Sequence, residues 1–391
     1  MTPESIALQN AARFADLFAA APTLAAFSPG RVNFIGEHTD YTNGLCMPFA
    51  IDRFVVVLGA LADRSGTARI RLRSLTNSDV IEIPLEDGAQ RPSDDWSTYA
   101  RGVLFGLHER GVTVPSLDVL VVGNLPVGAG LSSSAALEVA LIRLFLKAAE
   151  QTLPDDEIML IAQQAEHDFA GVPCGLLDQF SVVAGRESQL LLFDSRERSG
   201  TAVPIARHEL TFLVIDSQVN HSLSDGAYAE RRSQCEQLED LLQKSLRDAG
   251  LAELERATDD PILLKRGRHI ISENQRVLDM RLALANGDWT RVGALLFEGH
   301  ASLRDDFEVS CAETDLLVAL ASDFQQKGLV GARMTGGGFG GSVIALVPES
   351  SADALGTEIA RRYKAATGLM TTPLKVTPAN GAGIIDQGAW Q

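Results

Sequence analysis

A glycine- and serine-rich loop between a buried strand and a buried helix is the feature that most constrains how this chain can fold. Residues 117–122 form an apolar run that predicts a strand, and residues 135–149, rich in alanine and leucine, predict a helix. The loop between them reads Asn-Leu-Pro-Val-Gly-Ala-Gly-Leu-Ser-Ser-Ser-Ala-Ala over residues 124–136. Because free N–H groups and the helix dipole converge at such a junction, it predicts a site for a bound phosphate.

The glycines and the serines of this loop have separate predicted uses. Gly128 and Gly130 would let the backbone approach a ligand closely, since they carry no side chain. Ser132, Ser133 and Ser134 offer hydroxyls to phosphate oxygens or to Mg2+. The alternative interpretation is an ordinary helix capped by serine, with no ligand.

The same loop differs from a Walker A phosphate loop. Gly123 and Gly128 have the glycine spacing of that motif, but Ala129 and Gly130 stand where it requires lysine and serine or threonine. We therefore expect backbone dipoles and a metal ion, rather than a loop lysine, to balance the phosphate charge.

A second segment, residues 29–41, concentrates hydrogen-bonding side chains. It reads Pro-Gly-Arg-Val-Asn-Phe-Ile-Gly-Glu-His-Thr-Asp-Tyr, so that Glu37, His38, Asp40 and Tyr41 follow one another almost without interruption. Carboxylates and imidazoles can each hold a hydroxyl in a fixed geometry, and the segment therefore predicts a site for a small polyhydroxylated molecule. The alternative is a charged turn after a strand.

A second glycine-rich loop lies near the other end of the chain. Residues 333–341 read Arg-Met-Thr-Gly-Gly-Gly-Phe-Gly-Gly, and Gly336, Gly338 and Gly341 fit the pattern G-x-G-x-x-G. The apolar run that follows, residues 342–347, predicts a strand and not the helix that a dinucleotide-binding fold would have there. The loop predicts either a close approach of the backbone to a ligand or a tight bend between two elements.

Together these segments resemble the signature motifs of the galactokinase branch of the GHMP small-molecule kinases. The matching pieces are residues 30–41, 126–136 and 333–341, and a fourth match covers residues 166–179. The first motif is the most specific to galactokinases, whereas the glycine-rich loops are shared more widely in the superfamily. The resemblance covers nearly the whole chain in the family's motif order, and the segment 216–226 matches least well.

The resemblance implies a role for each of several residues. Arg31 and Asp178 resemble the family's catalytic pair. The positions that would contact the sugar are Glu37, His38, Asp40, Gly175 and Tyr228. The positions that would contact the nucleotide phosphates are Gly128, Gly130, Leu131, Ser132, Ser133, Ser134 and Ala135. A serine of this run, Ser134, and Glu166 resemble the Mg2+ ligands, and Trp96 lies near the position that packs against adenine.

Phosphoryl transfer is consistent with an aspartate and an arginine in these roles. The reaction needs an acceptor hydroxyl in line with the γ-phosphate and neutralisation of charge on the phosphoryl oxygens. Asp178 can accept the hydroxyl proton, and the anomeric hydroxyl of a sugar makes this easier because it is more acidic than an ordinary alcohol. Arg31 would keep the carboxylate ionised, orient it and stabilise the γ-phosphate.

The resemblance implies an ATP- and Mg2+-dependent kinase that converts galactose to galactose 1-phosphate. One alternative is a kinase of the same fold with another acceptor, such as N-acetylgalactosamine or L-arabinose. A second is a non-catalytic sensor that binds galactose and ATP. The sensor is disfavoured because residues 133–136, Ser-Ser-Ala-Ala, are intact and both Arg31 and Asp178 are present.

Composition predicts a cytoplasmic enzyme. With 34 basic and 51 acidic residues the net charge is −17, which argues against nucleic acid or an anionic membrane as partner. The four cysteines, Cys46, Cys174, Cys235 and Cys311, lie far apart and predict reduced thiols. No signal peptide is apparent, and no apolar run approaches the ~20 residues that span a bilayer. We expect small-molecule substrates and a monomer.

The order of the segments predicts two halves. Mixed strands and helices occupy residues 1–195, and the polar segment 196–203 predicts a connection to the second half. A strand at 210–215 precedes a long helical region, residues 227–285, which the sequence Asp259-Asp260-Pro261 should interrupt. The family resemblance implies an α+β fold of two lobes with the active site in the cleft between them. The second lobe would be residues 196–377, and residues 378–391 would return to the first.

Overall fold

The serine-rich loop does follow a buried strand of a large sheet. A computed structural model describes residues 1–62, 67–75, 79–85, 91–205, 209–220 and 226–390. The strands in this part of the chain are β1 Leu24–Asn33, β2 Leu45–Cys46, β3 Pro48–Leu61, β4 Arg69–Ser74, β5 Ile81–Pro84, β6 Leu117–Gly123, β7 Gln189–Asp194, β8 Ser199–Pro204, β9 Leu210–Asn220, β10 Gly331–Thr335, β11 Gly340–Pro348, β12 Leu374–Val376 and β13 Gly383–Ile384. The helices are α1 Pro3–Phe18, α2 Ser97–Glu109, α3 Ser133–Ala148, α4 Asp155–Asp168, α5 Leu177–Ala184, α6 Ala227–Leu242, α7 Leu251–Ala257, α8 Pro261–Asn286, α9 Trp289–Asp305, α10 Ala312–Ser322 and α11 Ala352–Thr367.

The first sheet is mostly antiparallel and has the strand order β13-β1-β3-β6-β4-β5. Helices α2 to α5 cover one face, where Leu72, Val103, Val139 and Ile161 contribute to a shared core. Helix α1 covers the opposite face, against which Phe14 packs. With apolar layers on both faces, the central strands are buried, and this holds β6 and the loop after it in place.

The second sheet is antiparallel in the order β10-β11-β9-β12. Helices α10 and α11 pack on one face, and Leu317, Ile359 and Tyr363 lie in that core. A third sheet, β2-β7-β8, completes the described strands. No helix within the described ranges is long and apolar enough to cross a membrane.

A core cluster joins the two halves of the chain. It contains Val32 and Leu125 from the first half and Phe212, Val277 and Ile344 from the second. Because these buried side chains contact one another, the loops at the edges of both sheets are held close together.

Most predicted elements are present with boundaries shifted by a few residues. The predicted break in the helical region is confirmed, since α8 begins at Pro261 with the Asp260 carboxylate accepting hydrogen bonds from the N–H groups of Ile262 and Leu263. The prediction of a plain connection at 196–203 was wrong, because residues 199–204 form β8 and pair with β7. Within the segment 216–226, residues 221–225 lie outside the described residues.

We propose a first lobe of residues 1–195 with 378–391 and a second lobe of residues 196–377. The pairing of β13 with β1, in which Ala26 faces Ile384, supports the return of the C-terminal segment. The hairpin of β7 and β8 spans the proposed boundary between residues 195 and 196.

Candidate active site

A cavity of about 440 Å³ lies where the four sequence motifs meet. The segment 30–41 contributes Arg31, Asn33, Glu37, His38 and Asp40 to its wall. The serine-rich loop contributes Gly128, Gly130, Leu131, Ser132, Ser133 and Ser134, and the third motif contributes the loop 335–341 except Gly340. Gly175, Asp178 and Tyr228 also line the cavity, whereas the predicted site residues Trp96, Ala135 and Glu166 are not in the lining that the structure describes. Segments far apart along the chain therefore share one pocket.

Arg31 and Asp178 are in direct contact in this pocket. The Nε atom of Arg31 donates a hydrogen bond to Asp178 Oδ1 over 2.6 Å, and Nη2 lies 2.6 Å from the same oxygen. The Ser132 hydroxyl donates to Asp178 Oδ2, and Arg31 Nη1 donates to the carbonyl oxygen of Gly130 over 2.7 Å. The aspartate, the arginine and the serine-rich loop thus form one hydrogen-bonded unit.

Local backbone geometry allows β1 to approach this loop. A Cβ atom on Gly30 would lie 2.4 Å from Leu125 Cδ1 and 2.9 Å from the carbonyl oxygen of Leu131. The register between β1 and β3 shifts at Gly30 itself, between Pro29 and Arg31. This irregularity lies immediately before Arg31, where a β-bulge typically redirects a side chain.

The serine-rich loop has a strained backbone just before α3. Gly128 and Gly130 have φ angles of 82° and 70°, and Ser132, which is not a glycine, has a φ of 55°. Helix α3 begins at Ser133, so its first N–H groups face the loop. Ala135, the third residue of α3, is fully buried and packs in the core between the first sheet and its helices, and it is not in the described lining of the cavity.

The histidine of the segment 30–41 is neutral. Burial lowers the pKa of His38 to about 3. Its Nδ1 atom lies 2.9 Å from the hydroxyl of Tyr41, while its Nε2 atom is buried and has no hydrogen-bond partner. The ring also contacts Tyr228, which places an aromatic surface beside the polar groups.

The carboxyl group of Asp40 can occupy its position only because residue 175 is a glycine. A Cβ atom on Gly175 would lie 1.8 Å from Asp40 Oδ2, so any side chain at position 175 would displace the carboxyl group. Burial, followed by the charge of Asp178, raises the pKa of Asp40 to about 6. The backbone N–H of Leu177 donates to Asp40 Oδ2 over 3.4 Å.

Glu37 belongs to a buried network of charges. Arg333 of β10 donates to its Oε2 atom, and burial raises the pKa of the Glu37 carboxyl while Arg333 opposes that rise. The backbone N–H of Gly36 donates to Glu273 Oε1 over 2.9 Å. Helix α8 and strand β10 of the second half thus hold the segment 30–41.

The residues predicted to bind a metal lie beside the serine-rich loop. Glu166 is 6% exposed, and its pKa is raised to about 7, chiefly by burial, while the Ser134 side chain opposes the shift. Glu138, one turn after Ser134 on α3, is fully buried and both of its carboxyl oxygens lack a hydrogen-bond partner. Among the described residues no group of three or more histidine, cysteine and acidic side chains forms a site for a metal ion by itself.

Comparison with known proteins identifies the family. Three family models match: the galactokinase galactose-binding signature at residues 12–61, the GHMP kinases N terminal domain at 98–186 and the GHMP kinases C terminal at 280–365. A galactokinase of Enterococcus faecalis is 40% identical over 365 residues, which are 90% of this chain and 92% of the relative. The chain belongs to the galactokinase family. The predicted resemblance is therefore confirmed.

Solved structures support the same assignment. The crystal structure of Lactococcus lactis galactokinase complexed with galactose matches with a TM-score of 0.90 at 30% identity, and covers 96% of this chain and 98% of its own. The mevalonate kinase of Methanococcus jannaschii matches with a TM-score of 0.64 at 18% identity over 91% of this chain and 98% of its own, which indicates a shared fold only. The predicted α+β GHMP kinase fold is confirmed, and the family uses ATP as phosphoryl donor.

Trp96 is one of the predicted site residues of this galactokinase-family chain that do not line the cavity. It lies at the N-terminal cap of α2 and packs against the core of the first lobe, and it is not part of the lining that the structure describes for the cavity. Tyr99, three residues later, does line the cavity, and burial raises its pKa to about 12. The adenine contact of Trp96 stays a prediction.

Sequence reasoning assigned no role to several residues that form the site. Asn33 lines the cavity with both atoms of its amide group buried and without partners, and its backbone N–H and C=O bond to the Thr335 hydroxyl. Asn33 lies two residues after Arg31, so the two-residue period of a strand could have indicated it. Arg333 was noted only as the start of the second glycine-rich loop and Glu273 was not noted at all, because their role comes from a contact between the two halves of the chain.

Proposed function

We propose that this chain transfers the γ-phosphoryl group of ATP to the anomeric hydroxyl of α-D-galactose, giving galactose 1-phosphate and ADP. The observation that carries the proposal is the contact of Asp178 with both Arg31 and Ser132 at the wall of a cavity that the galactose-binding signature also lines. An acceptor group and an anion-binding loop therefore lie side by side, as phosphoryl transfer requires.

Asp178 accepts the proton of the sugar hydroxyl in this proposal. Its side chain is 28% exposed, so a substrate can reach it, and Arg31 and Ser132 fix its orientation. Arg31 has a second function, because its charge lies between the carboxylate and the loop where the transferred phosphoryl group would sit. The N–H groups at the start of α3 bind the phosphate oxygens of ATP.

The sugar occupies the part of the cavity lined by the segment 30–41. Carboxyl groups of Glu37 and Asp40, the free Nε2 atom of His38 and the hydroxyl of Tyr228 offer several hydrogen-bonding groups to its hydroxyls. The Lactococcus relative contains galactose, which supports galactose as the substrate here.

We propose that Mg2+ binds with ATP at Ser134 and Glu166. The buried Glu138 carboxyl without a partner fits a cation in this region, since a nearby positive charge would favour the ionised form of both glutamates. Bound Mg2+ would neutralise charge on the nucleotide phosphates. With two protein ligands of this kind, the phosphates and water would complete its coordination.

A coupled ADP-release assay tests the proposal. Galactose, glucose, N-acetylgalactosamine, L-arabinose and mevalonate are each supplied with ATP, with and without Mg2+. We expect turnover with galactose and Mg2+ and little with the others. Preferred turnover of N-acetylgalactosamine or L-arabinose would assign another acceptor, and tight galactose binding without ADP release would assign a sensor.

We also propose that the protein acts as a monomer in the cytoplasm. The four cysteines are free, as reduced thiols of a cytoplasmic protein would be. Light scattering coupled to size-exclusion chromatography should give the mass of one chain, 41.9 kDa. A mass of twice this value would refute the monomer.

A further inference from the structure

Arg333 is a fully buried cation between two carboxyl groups. Its Nη2 atom pairs with Glu37 Oε2, and its Nη1 atom lies 2.9 Å from Glu273 Oε1. Gly299 leaves space for the guanidinium group, since a Cβ atom there would lie 2.5 Å from Nη1. A charge in such a place is stable only when paired, so this arrangement is specific to arginine at position 333.

The two carboxyl groups around Arg333 differ in what they have left to bind. Glu273 uses both oxygens: Oε1 accepts the N–H of Gly36 over 2.9 Å, and Oε2 accepts Nε of Arg276 over 2.6 Å. Glu37 uses only Oε2, because its Oε1 atom is buried without a hydrogen-bond partner. Glu37, unlike Glu273, lines the cavity, so its free oxygen is available to a ligand there.

We propose that Arg333 is a positioning residue for the sugar, which fixes Glu37 through Oε2 so that Oε1 accepts a hydrogen bond from a substrate hydroxyl. The inference rests on the proposed function and adds a residue to it. Burial raises the pKa of Glu37 and Arg333 opposes that rise, so loss of Arg333 favours a neutral carboxyl that no longer offers the same acceptor.

Arg333 lies close in sequence to a second residue that contacts the segment 30–41. It lies two residues before Thr335, which lines the cavity and bonds to the backbone of Asn33. The sugar-facing Glu37 belongs to the first half of the chain, 296 residues away from Arg333. Together with Glu273, which accepts the N–H of Gly36, Arg333 thereby connects the second half of the chain to the sugar site in the first.

A double-mutant cycle tests whether Arg333 acts through Glu37. The variants are Arg333→Met, Glu37→Gln and the double variant, each assayed for kcat and for KM with galactose and with ATP. We expect each single change to raise the galactose KM by about tenfold or more, because one charge-assisted hydrogen bond is lost. The ATP KM should stay within about twofold of the parent value. The double variant should be no worse than the worse single variant.

Two further variants separate positioning from a general structural role. Arg276→Met removes the other arginine that contacts Glu273 but touches no part of Glu37, and it should leave the galactose KM within about threefold. Arg333→Lys keeps the positive charge but lacks the two guanidinium nitrogens that pair with separate carboxyl groups. It should raise the galactose KM less than Arg333→Met does. It replaces Arg333→Met in the cycle if circular dichroism shows that the methionine variant is unfolded.

The outcomes are distinct for the inference and for the proposed function. If the parent chain phosphorylates no galactose, the proposed function fails and the inference falls with it. If the parent is active but the effects of Arg333→Met and Glu37→Gln on the galactose KM multiply in the double variant, only the inference is overturned. The same holds if Arg276→Met raises the galactose KM as much as Arg333→Met does.

Discussion

Replacing Gly175 by alanine tests the packing of the sugar site most directly. The new Cβ atom would lie 1.8 Å from Asp40 Oδ2 and 2.3 Å from Asp40 Cγ. An ordinary contact needs about 3.4 Å, so the carboxyl group must move by roughly 1.5 Å. A shift of this size breaks a hydrogen bond to the substrate, and one such bond to a charged group contributes roughly 1.5–3 kcal/mol. We expect kcat/KM for galactose to fall by about ten- to a hundredfold.

The assay is coupled ADP release with galactose varied at saturating ATP, together with a thermal melt of each variant. Gly388→Ala is the matched control, since a Cβ atom at position 388 has no heavy atom within 4 Å, and it should behave as the parent. The clash should also lower the melting temperature of Gly175→Ala, and this fall should largely disappear in an Asp40→Ala background, where the clash is absent. Parent-like kcat/KM for Gly175→Ala would refute the reasoning.

Further predictions concern the acceptor residue, the metal and the response to pH. Asp178→Asn should lower kcat by about 10²–10⁴-fold while ATP binding, measured by calorimetry, is retained; an unchanged kcat would remove this residue from the mechanism. Glu166→Ala should raise the Mg2+ concentration needed for half-maximal activity by about tenfold or more, and weaken Mn2+ binding in electron paramagnetic resonance, whereas Asp156→Ala on the exposed face of the same helix should change neither. His269 has a pKa lowered to about 4 by burial, so below pH 6.5 the unfolded state takes up a proton that the folded state does not, and stability falls as the pH drops from 6.5 towards 4. His269→Asn should remove up to ~1 kcal/mol per pH unit of that dependence in urea titrations, and an unchanged slope would contradict the assignment.

Much of the fold could be predicted because local patterns control it. The apolar strand before the serine-rich loop and the helix after it have the predicted type, since buried elements of this length carry a clear periodicity. The stop at Asp260 and Pro261 acts through the helix backbone itself, so it too can be recognised locally.

Two elements, β8 and α5, were not predicted because their sequences carry no clear periodic pattern. Every residue of β8 except Val203 is exposed, so the strand has no apolar alternation, and its pairing with β7 makes it a strand. Helix α5 has eight residues, too few for a periodic signal, so a helix beginning at Leu177 and carrying Asp178 in its first turn was not predicted.

The sequence alone determined the family and the types of group available for chemistry, because glycine-rich loops, capping serines and clustered polar side chains act through their own backbone and composition. Only the tertiary structure decided which of these groups meet. The contact of Arg31 with Asp178 joins positions 147 residues apart, and that of Arg333 with Glu37 joins positions 296 residues apart. Such contacts depend on the packing of both halves around a common core, and no local pattern contains that information.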